Sequence, residues 1–538
     1  MSCWTLSHRS SMNITRESPE SLPKLHNNEF PKPGLGEWLA MMGLLLAFWG
    51  FHVSSYNWYP TPWSDEVTYS EPAINLAQGH GFTTSIWQFQ AAGTFWAVNP
   101  PLYGLVLSGW VRAMGTSVQA LRCFNLTLYT LVVFLLWVAA WKFKLIQSVT
   151  GRFMLIGLLQ LGFGISLAFR SARPDVLGMF CLAVLFVTFL IPSQRVRGLF
   201  LASCAAVAPW IGLQVALYAI IVCFIAWSVP RVATLRDLLC VSLGISIGAC
   251  LLVVFLVRND ALAAFRLSVH VVTGGGGLGR LGNAVTSYFK DFSSVPLLLA
   301  LGLFAFRSWG SWLPQTRRII LSVGLVYGTV PLVFNLSADF RSYYAYMIYV
   351  PLVLAFTHVF SEILAQQIPG RARISDKVFV GAAMAAMLIG LPLRLLLTTA
   401  FCNIAPRPDL RNVLATHLRP DDVVFSEYFT FFEAKTMTPS VYAPFSAKGL
   451  AHISDLGLEL TPKQRARVDL MIVKPGEKDA MARYFGGEWK AVSEPFGDSV
   501  CADKLLRVPI FGAKLQTFFY HAPTARFQVQ VFRRVPGT

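Results

Sequence analysis

Apolar positions along the chain fall into long runs separated by short polar connectors. Runs near 38–54, 118–141, 153–169, 176–192, 198–210, 212–228, 237–257, 293–306, 319–335, 343–364 and 378–399 stand out, about eleven in all. A helix that crosses a bilayer needs roughly 17–25 apolar residues, and most of these runs meet that length by hydropathy. The fifth and sixth are short and form a tight pair around Pro209. The expected fold class is therefore a polytopic α-helical membrane protein of about 11 transmembrane helices.

The pattern changes in four places. Residues 1–35 are polar and aperiodic, with Ser, Asn and Pro but no apolar core directly after a basic start. That composition predicts a disordered tail rather than a signal peptide. The connector 55–117 is long, and its PPLYGLVLSGWVRAMG stretch is apolar for only about four turns before Gly115, which suits a helix lying in the interface. The connector 258–292 carries VTGGGGLGRLG, whose glycines 274–277 predict a flexible flap. Residues 401–538 alternate short apolar strands (DDVVFSE, VDLMIVKP, FQVQVFRRV) with polar helical stretches such as DLRNVLATHL, the pattern of a small α/β domain. The predicted division is a tail over 1–35, a membrane domain over 36–400 with its loop 55–117, and a soluble domain over 401–538.

Charge gives direction. The chain holds 45 Lys and Arg against 28 Asp and Glu, only 14% charged residues in total, with 54% hydrophobic residues and a mean hydropathy of +0.53. The positive excess does not point to nucleic acid, because it recurs in alternate short connectors: Lys142, Lys144 and Arg152, then Arg195 and Arg197, Arg231 and Arg236, Arg307, Arg317 and Arg318, and Arg371, Arg373 and Lys377. The positive-inside rule puts all of these in the cytoplasm. With an odd number of spans, the N-terminus is then cytoplasmic and the C-terminal domain external. Most cysteines lie in or beside apolar runs and no CxxC pair occurs, so a cysteine metal site is not expected. Cys402 and Cys501 in the external domain could pair as a disulfide.

Three motifs then share one depth, the outer membrane edge: WSDEVTY at 63–69, RSARPD ending at Asp175, and DFRSYY with Arg341, Tyr343 and Tyr344. Taken alone, Ser64 as an N-cap and Asp65 and Glu66 in a first turn are simple complements to a helix dipole. Carboxylates and arginines converging at one membrane face describe instead a place for a charged lipid headgroup and an attacking group.

These stretches resemble the GT-C fold glycosyltransferases that use polyprenyl-phosphate sugars, in the branch of the protein O-mannosyltransferases and the lipid A aminoarabinose transferase. The likeness rests on DEVTYSEPAINLAQGHGF, on PPLYGLVLSGWVRAMG followed by LRCFN, on ARPD and on FRSYYAYMIYVPLVLAF, and covers roughly residues 38–400. Two departures stand out. Pro72 interrupts the first-loop helix, which predicts a separate helix over Glu71–Gln78, and Asn99 precedes the Pro pair where relatives often carry a cation.

The resemblance implies an integral protein of a bacterial inner (plasma) membrane, a polyprenyl-phosphate-linked sugar as donor, and a lipid, glycan or protein hydroxyl as acceptor. The chemistry inverts the anomeric carbon. One carboxylate removes the acceptor proton, and the phosphate leaves as an anion without a paired acid, unlike glycoside hydrolysis. Asp65 is the expected base, with Glu66 orienting the acceptor or the base and Asp175 shaping the second half of the site by metal or acceptor contacts. Arg341 is the expected phosphate clamp, with Arg258 and Arg173 as helpers. Tyr69, four residues after Asp65, faces the same way on a helix, and Asn99, Tyr343 and Tyr344 complete the expected pocket. The metal requirement stays open, since convergent carboxylates could hold Mg²⁺ or Mn²⁺. The rival class is a transporter or flippase, which would show internal repeats or mid-span acids; neither is visible in the sequence.

Overall fold

The computed structural model describes residues 32–86, 90, 92–229, 231–273, 291–308, 313–337, 344–365, 372–401, 407–443, 460–496 and 528–537. The predicted tail over 1–31, the glycine flap at 274–277, Arg341 and Tyr343, and Cys402 and Cys501 lie outside them.

Each of the eleven predicted apolar runs falls on a helix or a helix pair. The first is α1 (Leu35–Ser54); α2 (Ser64–Ala77) and α3 (Leu102–Met114) occupy the long first connector. Next come α4 (Val118–Lys142), the pair α5 (Val149–Leu161) and α6 (Phe163–Arg170), α7 (Asp175–Thr188), α8 (Gln194–Ile211), α9 (Leu213–Ser228), α10 (Leu235–Arg258) and α11 (Leu262–Thr273). They are followed by α12 (Ser294–Ser308), α13 (Pro314–Ser337), α14 (Tyr346–Leu364), and the pair α15 (Ala372–Ile389) and α16 (Leu391–Phe401). Among the described residues six segments are long and apolar enough to cross a membrane, and α5 and α6 pass the same test only together, bent by 63° at the break between them. Helices α7, α9 and α12 are apolar but shorter.

Two devices hold this bundle together without a hydrophobic drive between lipid-facing helices. Small residues let backbones meet. A Cβ on Gly244 would stand 2.2 Å from the Ala202 carbonyl oxygen, and one on Gly248 2.0 Å from that of Ala206, so α8 and α10 touch main chain to main chain. Trp210 Nε1 closes the same contact by donating to the Gly248 carbonyl at 3.0 Å. The breaks between α5 and α6 and between α15 and α16 also abut, because a Cβ on Gly390 would stand 1.8 Å from the Leu161 carbonyl oxygen.

Buried ion pairs mark both ends of the bundle. At one end Arg152 forks onto Glu37 (2.6 and 2.8 Å) and Arg197 onto Asp237 (3.0 and 3.0 Å), tying α5 to α1 and α8 to α10. These arginines belong to the basic connectors. At the other end lie Glu66, Arg122, Asp65, Arg173 and Asp175, at the end where α1 and α6 finish and α4 and α7 begin.

The C-terminal part is a five-stranded sheet of order β2-β1-β3-β5-β4, with β1 (Val424–Ser426), β2 (Val441–Tyr442), β3 (Leu470–Val473), β4 (Trp489–Ala491) and β5 (Gln530–Arg534). The first three strands pair in parallel, Val424 opposite Val441 and Leu470; β5 runs antiparallel to β3 and β4, Phe532 opposite Met471 and Arg533 opposite Lys490. The three predicted strand motifs are β1, β3 and β5, and DLRNVLATHL lies in the helix Arg407–His417. Side chains alternate with the pleat. Val424, Leu470, Ile472 and Val531 join a core shared with α2, α3 and α4, whereas Phe425, Met471, Val473 and Phe532 face the helix Lys478–Phe485. One face of the sheet thus belongs to the same apolar cluster as the first connector, at the bundle end that carries the acidic motifs.

Helix α2 corrects two sequence expectations. It begins at Ser64, with Trp63 as the cap residue and no side-chain cap, so Ser64 is the first helical residue. It also runs unbroken through Pro72, with no separate helix over Glu71–Gln78. A proline inside a helix loses a hydrogen bond and crowds the carbonyl four residues back. Here the helix is packed on nearly every side, with Glu66, Val67, Thr68 and every residue from Ser70 to Asn75 buried, and that packing outweighs the local cost.

Candidate functional site

The site grows from a loop with few backbone partners of its own. Between α6 and α7 the chain reads Ser171, Ala172, Arg173, Pro174, and side chains from three other elements grip it. Asn125 of α4 donates its amide to the carbonyls of Ser171 (2.5 Å) and Arg173 (2.9 Å), while its own oxygen accepts from the Tyr103 hydroxyl at 3.1 Å. Trp63 Nε1 donates to Ser171 Oγ at 3.3 Å. The Ala172 N–H donates to Glu66 Oε1 at 3.0 Å.

Glu66 is in turn held by Arg122 in a parallel fork, Nε to Oε1 at 2.7 Å and Nη2 to Oε2 at 2.6 Å, with both residues fully buried. The remaining nitrogen, Nη1, donates to the carbonyls of Tyr56 (2.6 Å) and Pro60 (2.8 Å). One guanidinium thus ties the α1–α2 turn, α2 and, through Glu66, the 171–174 loop to the start of α4. Glu66 has both oxygens committed and no face open to a reactant. Its hydrogen-bond partners among the described residues are Arg122 and the Ala172 N–H, so Glu66 holds the 171–174 loop against α4.

The gripped loop aims Arg173. Its Nε donates to Asp175 Oδ2 at 2.8 Å, and its Nη1 donates to Asp65 Oδ2. The guanidinium lies over two rings, 5.0 Å from the centroid of Trp63 and 5.5 Å from that of Tyr69. Asp65 and Tyr69 therefore do face one way, toward the same cation. The two carboxylates differ in access: the Asp65 side chain is 26% exposed and that of Asp175 1%. Asp65 Oδ1 accepts no hydrogen bond from a described residue. Removal from water, and then the Asp65 carboxylate, push the Tyr69 hydroxyl well above the ordinary tyrosine range, so it stays protonated.

Arg173 was expected as a helper at the donor phosphate. In the structure it is engaged by two carboxylates and brackets Asp65 and Asp175. Arg258, the other expected helper, stands apart from the carboxylates. It is exposed at the end of α10 and makes no ion pair among the described residues, whereas the carboxylates are gathered by α2, α4 and α7. Arg170 also points elsewhere, donating to His52 Nδ1 (2.8 Å) and to the carbonyls of Tyr59 (2.8 Å) and Ser55 (2.5 Å). Asn99 is half-buried in the turn before α3 and bonds to no described residue.

A divalent cation does not fit between these acids. Its seat between Asp65 and Asp175 is filled by the Arg173 guanidinium, and among the described residues no group of three or more His, Cys, Asp and Glu could hold a metal.

Behind the carboxylates, within the bundle, lies an apolar cavity of about 130 Å³. Helices α4, α7, α9, α13 and α14 line it, with Phe186, Ile225, Val323 and Leu354 among the walls and His358 at its border. Tyr218 and Tyr346 also line it, and their buried hydroxyls have no hydrogen-bond partner among the described residues. Both are electrostatic neighbours of Asp175 and of Tyr344, and Tyr346 also of Arg173. Tyr344 is a neighbour of Tyr69 too. Two tyrosines of the cavity wall thus stand close enough to the acid–arginine cluster to feel its charge.

The fold has counterparts among solved structures. ArnT from Cupriavidus metallidurans, the lipid A aminoarabinose transferase, superposes in its apo state with a TM-score of 0.56 at 13% identity over 92% of this chain and 98% of that one. The same enzyme bound to undecaprenyl phosphate superposes with a TM-score of 0.55 at 11% identity over 93% and 98%. The fold is GT-C. No protein-family model and no curated protein sequence matches the chain.

Sequence reasoning had missed Arg122, Asn125, Trp63, Tyr218 and Tyr346. Arg122 and Asn125 carried a signal, since both stand in LRCFN at the start of an apolar span where polar groups are costly. The two tyrosines carried none, being aromatic residues within apolar runs.

Proposed function

We propose that the protein is an inverting glycosyltransferase that moves a sugar from a polyprenyl-phosphate donor to a hydroxyl acceptor at the outer face of a membrane. The observation that carries this reading is Asp65: a part-exposed carboxylate, fixed through one oxygen by a buried arginine, at one end of an apolar helix bundle. ArnT, whose fold this chain shares, has been captured with undecaprenyl phosphate. That lipid pairs an isoprenoid chain with a phosphate, an amphiphile suited to an apolar helix bundle that carries a charged cluster at one end.

In this reading the Asp65 carboxylate takes the proton of the acceptor hydroxyl as its oxygen bonds to the anomeric carbon. The bond from that carbon to the phosphate oxygen breaks from the opposite face, and its electron pair stays with the phosphate. Arg173 keeps Asp65 in one rotamer throughout, and Asp175 keeps Arg173. Tyr344, Tyr346 and Tyr218 donate to the departing phosphate, with Arg341 as the expected cationic clamp. Positioned general bases contribute roughly 10²–10⁴-fold.

A transporter reading draws on the 63° break between α5 and α6, since interrupted helices often present free N–H groups to an anion. Here those groups are taken. The Phe163 N–H donates to Ser293 Oγ at 2.9 Å and the Gly164 N–H points to Asp291 Oδ1 at 3.4 Å. Two of the N–H groups at the break are thus met by the protein's own side chains, which favours the transferase reading.

The deciding experiment incubates purified protein with radiolabelled polyprenyl-phosphate sugars and an envelope lipid and glycan extract. Transfer of label to an acceptor, with release of polyprenyl phosphate, is expected. Movement of intact donor across liposomes without turnover would replace this reading with the transporter.

A further inference from the structure

Helix α2 carries Asp65 in its first turn and a second, deeply buried acid nearly two turns further on. Glu71 is 0% exposed. Its Oε2 accepts from Thr84 Oγ1 (2.8 Å) and the Ser85 N–H (3.0 Å), and its Oε1 from the Ser85 hydroxyl. The cation facing it comes from the far end of the chain. Lys435 Nζ, on the helix Tyr428–Met437 beside the sheet, lies 3.6 Å from Glu71 Oε1 and donates to the Pro439 carbonyl at 2.6 Å. Lys435 is only 3% exposed. A second thread crosses the same junction, as Ser85 Oγ lies 2.9 Å from the Val441 carbonyl of β2. Around the pair, Val67, Ala73 and Ile74 of α2 share one apolar core with Phe431, Phe432 and Ala434.

A charged pair inside an apolar junction is poor glue. Burying two charges costs about as much as their attraction returns, but removing one partner leaves the other uncompensated. Such a pair therefore fixes register strongly while adding little net stability. The register it fixes here is that of α2 against the C-terminal domain. The opposite end of α2 is set by Glu66 on Arg122 and Asp65 on Arg173. The helix is pinned at two points, and Asp65 lies beyond the second.

We propose that Lys435 is a positioning residue for the site: by holding the Glu71 carboxylate it fixes α2, and with it Asp65, between the C-terminal domain and the membrane bundle. The C-terminal domain is then part of the catalytic framework rather than an appended module. This inference rests on the glycosyltransferase reading for its kinetic arm only. Shifts of about 1 Å far from the reacting atoms can cost about 10²-fold in rate.

The test uses the full chain in nanodiscs and three variants: Lys435→Met, Glu71→Gln, and the two combined. Hydrogen exchange is followed over 64–77, and turnover is counted per folded molecule. Lys435→Met is expected to speed exchange in the first turn of α2 and to cut kcat between about 10- and 10²-fold, with KM for the donor lipid within about twofold. Adding Glu71→Gln removes the unpaired charge but keeps the Thr84 and Ser85 bonds, so exchange and kcat should return most of the way. Normal kcat per folded molecule in Lys435→Met would overturn the proposal, even if the melting temperature falls. Should the wild type transfer no sugar at all, the function reading fails separately. The exchange arm then decides: unchanged protection at 64–67 in Lys435→Met overturns the positioning role, and its loss upholds it.

Discussion

Arg122 and Glu66 face each other as a two-bond fork sealed from solvent, one at the start of a membrane-spanning helix and the other in the first turn of a loop helix. The consequence is a division of labour within one dipeptide. Glu66 is spent on architecture, and its neighbour Asp65 is left with one oxygen uncommitted. Adjacent helical residues point about 100° apart, so a single acidic pair can serve both the scaffold and the reacting face.

The first expectation is a stability asymmetry. Breaking a buried ion pair from one side typically costs about 3–5 kcal/mol. Arg122→Met should lower the thermal midpoint strongly, followed by tryptophan fluorescence in detergent. Arg122→Met with Glu66→Gln should recover part of the loss, because the glutamine oxygen can still accept from the Ala172 N–H. An Arg122→Met protein as stable as wild type would show that the fork is ornamental.

A second expectation concerns the α8–α10 contact. A methyl on Gly244 would collide with the Ala202 carbonyl, a backbone atom that cannot rotate away. Overpacking of this kind costs about 1–3 kcal/mol. Gly244→Ala should destabilise the bundle by that order, whereas Gly324→Ala on α13, with open space around its Cβ position, should not. Matched urea or thermal denaturation of the two variants separates close packing from a general effect of removing glycine.

The C-terminal domain carries a pH signature. Burial works against the charge on Asp422, but the Arg533 fork (2.9 and 2.9 Å) and the Arg419 N–H outweigh it and hold the carboxyl below its ordinary range. A depressed folded-state value means that the unfolded chain binds the proton more readily. The stabilisation is thus complete above the unfolded value near 4 and is lost as the pH falls through the lower folded one. Wild type should lose more stability than Asp422→Asn between pH 5 and 3, read as a difference in melting temperature. Equal losses would mean that the fork contributes nothing in the folded state.

The sequence made depth legible and bearing illegible. Lipid forces every spanning segment to be apolar, so the helices and the membrane edges could be read directly, and Asp65 and Asp175 were rightly placed at one edge. Hydropathy says nothing about where around the bundle a side chain points. Arg258 shares the predicted edge but is not gathered with the carboxylates, and the pairing of Arg173 with both Asp65 and Asp175 could not be read from spacing. The unbroken α2 was hidden for another reason: local propensity at Pro72 argues for a break, and only long-range burial overrides it. Lys435 was equally invisible, since its partner Glu71 comes from the other end of the chain.

Orientation follows from charge and is open to direct measurement. The basic connectors cluster at the end where Arg152 meets Glu37, and the C-terminal domain meets α2 at the opposite end. If the positive-inside rule holds, a single cysteine at Glu433 is labelled by an impermeant maleimide from outside intact cells, and one at Lys377 only after permeabilisation. Labelling of both from the same side would remove the proposed outer-face site.

Asp65→Asn is the sharpest test of the base, because the substitution keeps the shape of the side chain. The introduced asparagine can still accept from Arg173 Nη1 through its amide oxygen, so α2 and the 171–174 loop should stay in place. If Asp65 takes the acceptor proton, turnover falls by about 10²–10⁴-fold while donor binding, read by quenching of tryptophan fluorescence, is kept. Were Asp65 only a first-turn acid complementing the helix dipole, the change would cost about 0.3–1 kcal/mol of stability and almost no activity. Arg173→Lys adds a second axis. A lysine has a single ammonium where the arginine fork reaches two carboxylates, so Asp65 loses its fixed rotamer and turnover drops. Once Arg173→Lys has released the base, Asp65→Asn should remove less than it does in the wild type. Losses that simply multiply would mean that Arg173 and Asp65 act independently, and the bracket between the two carboxylates would then have no part in the chemistry.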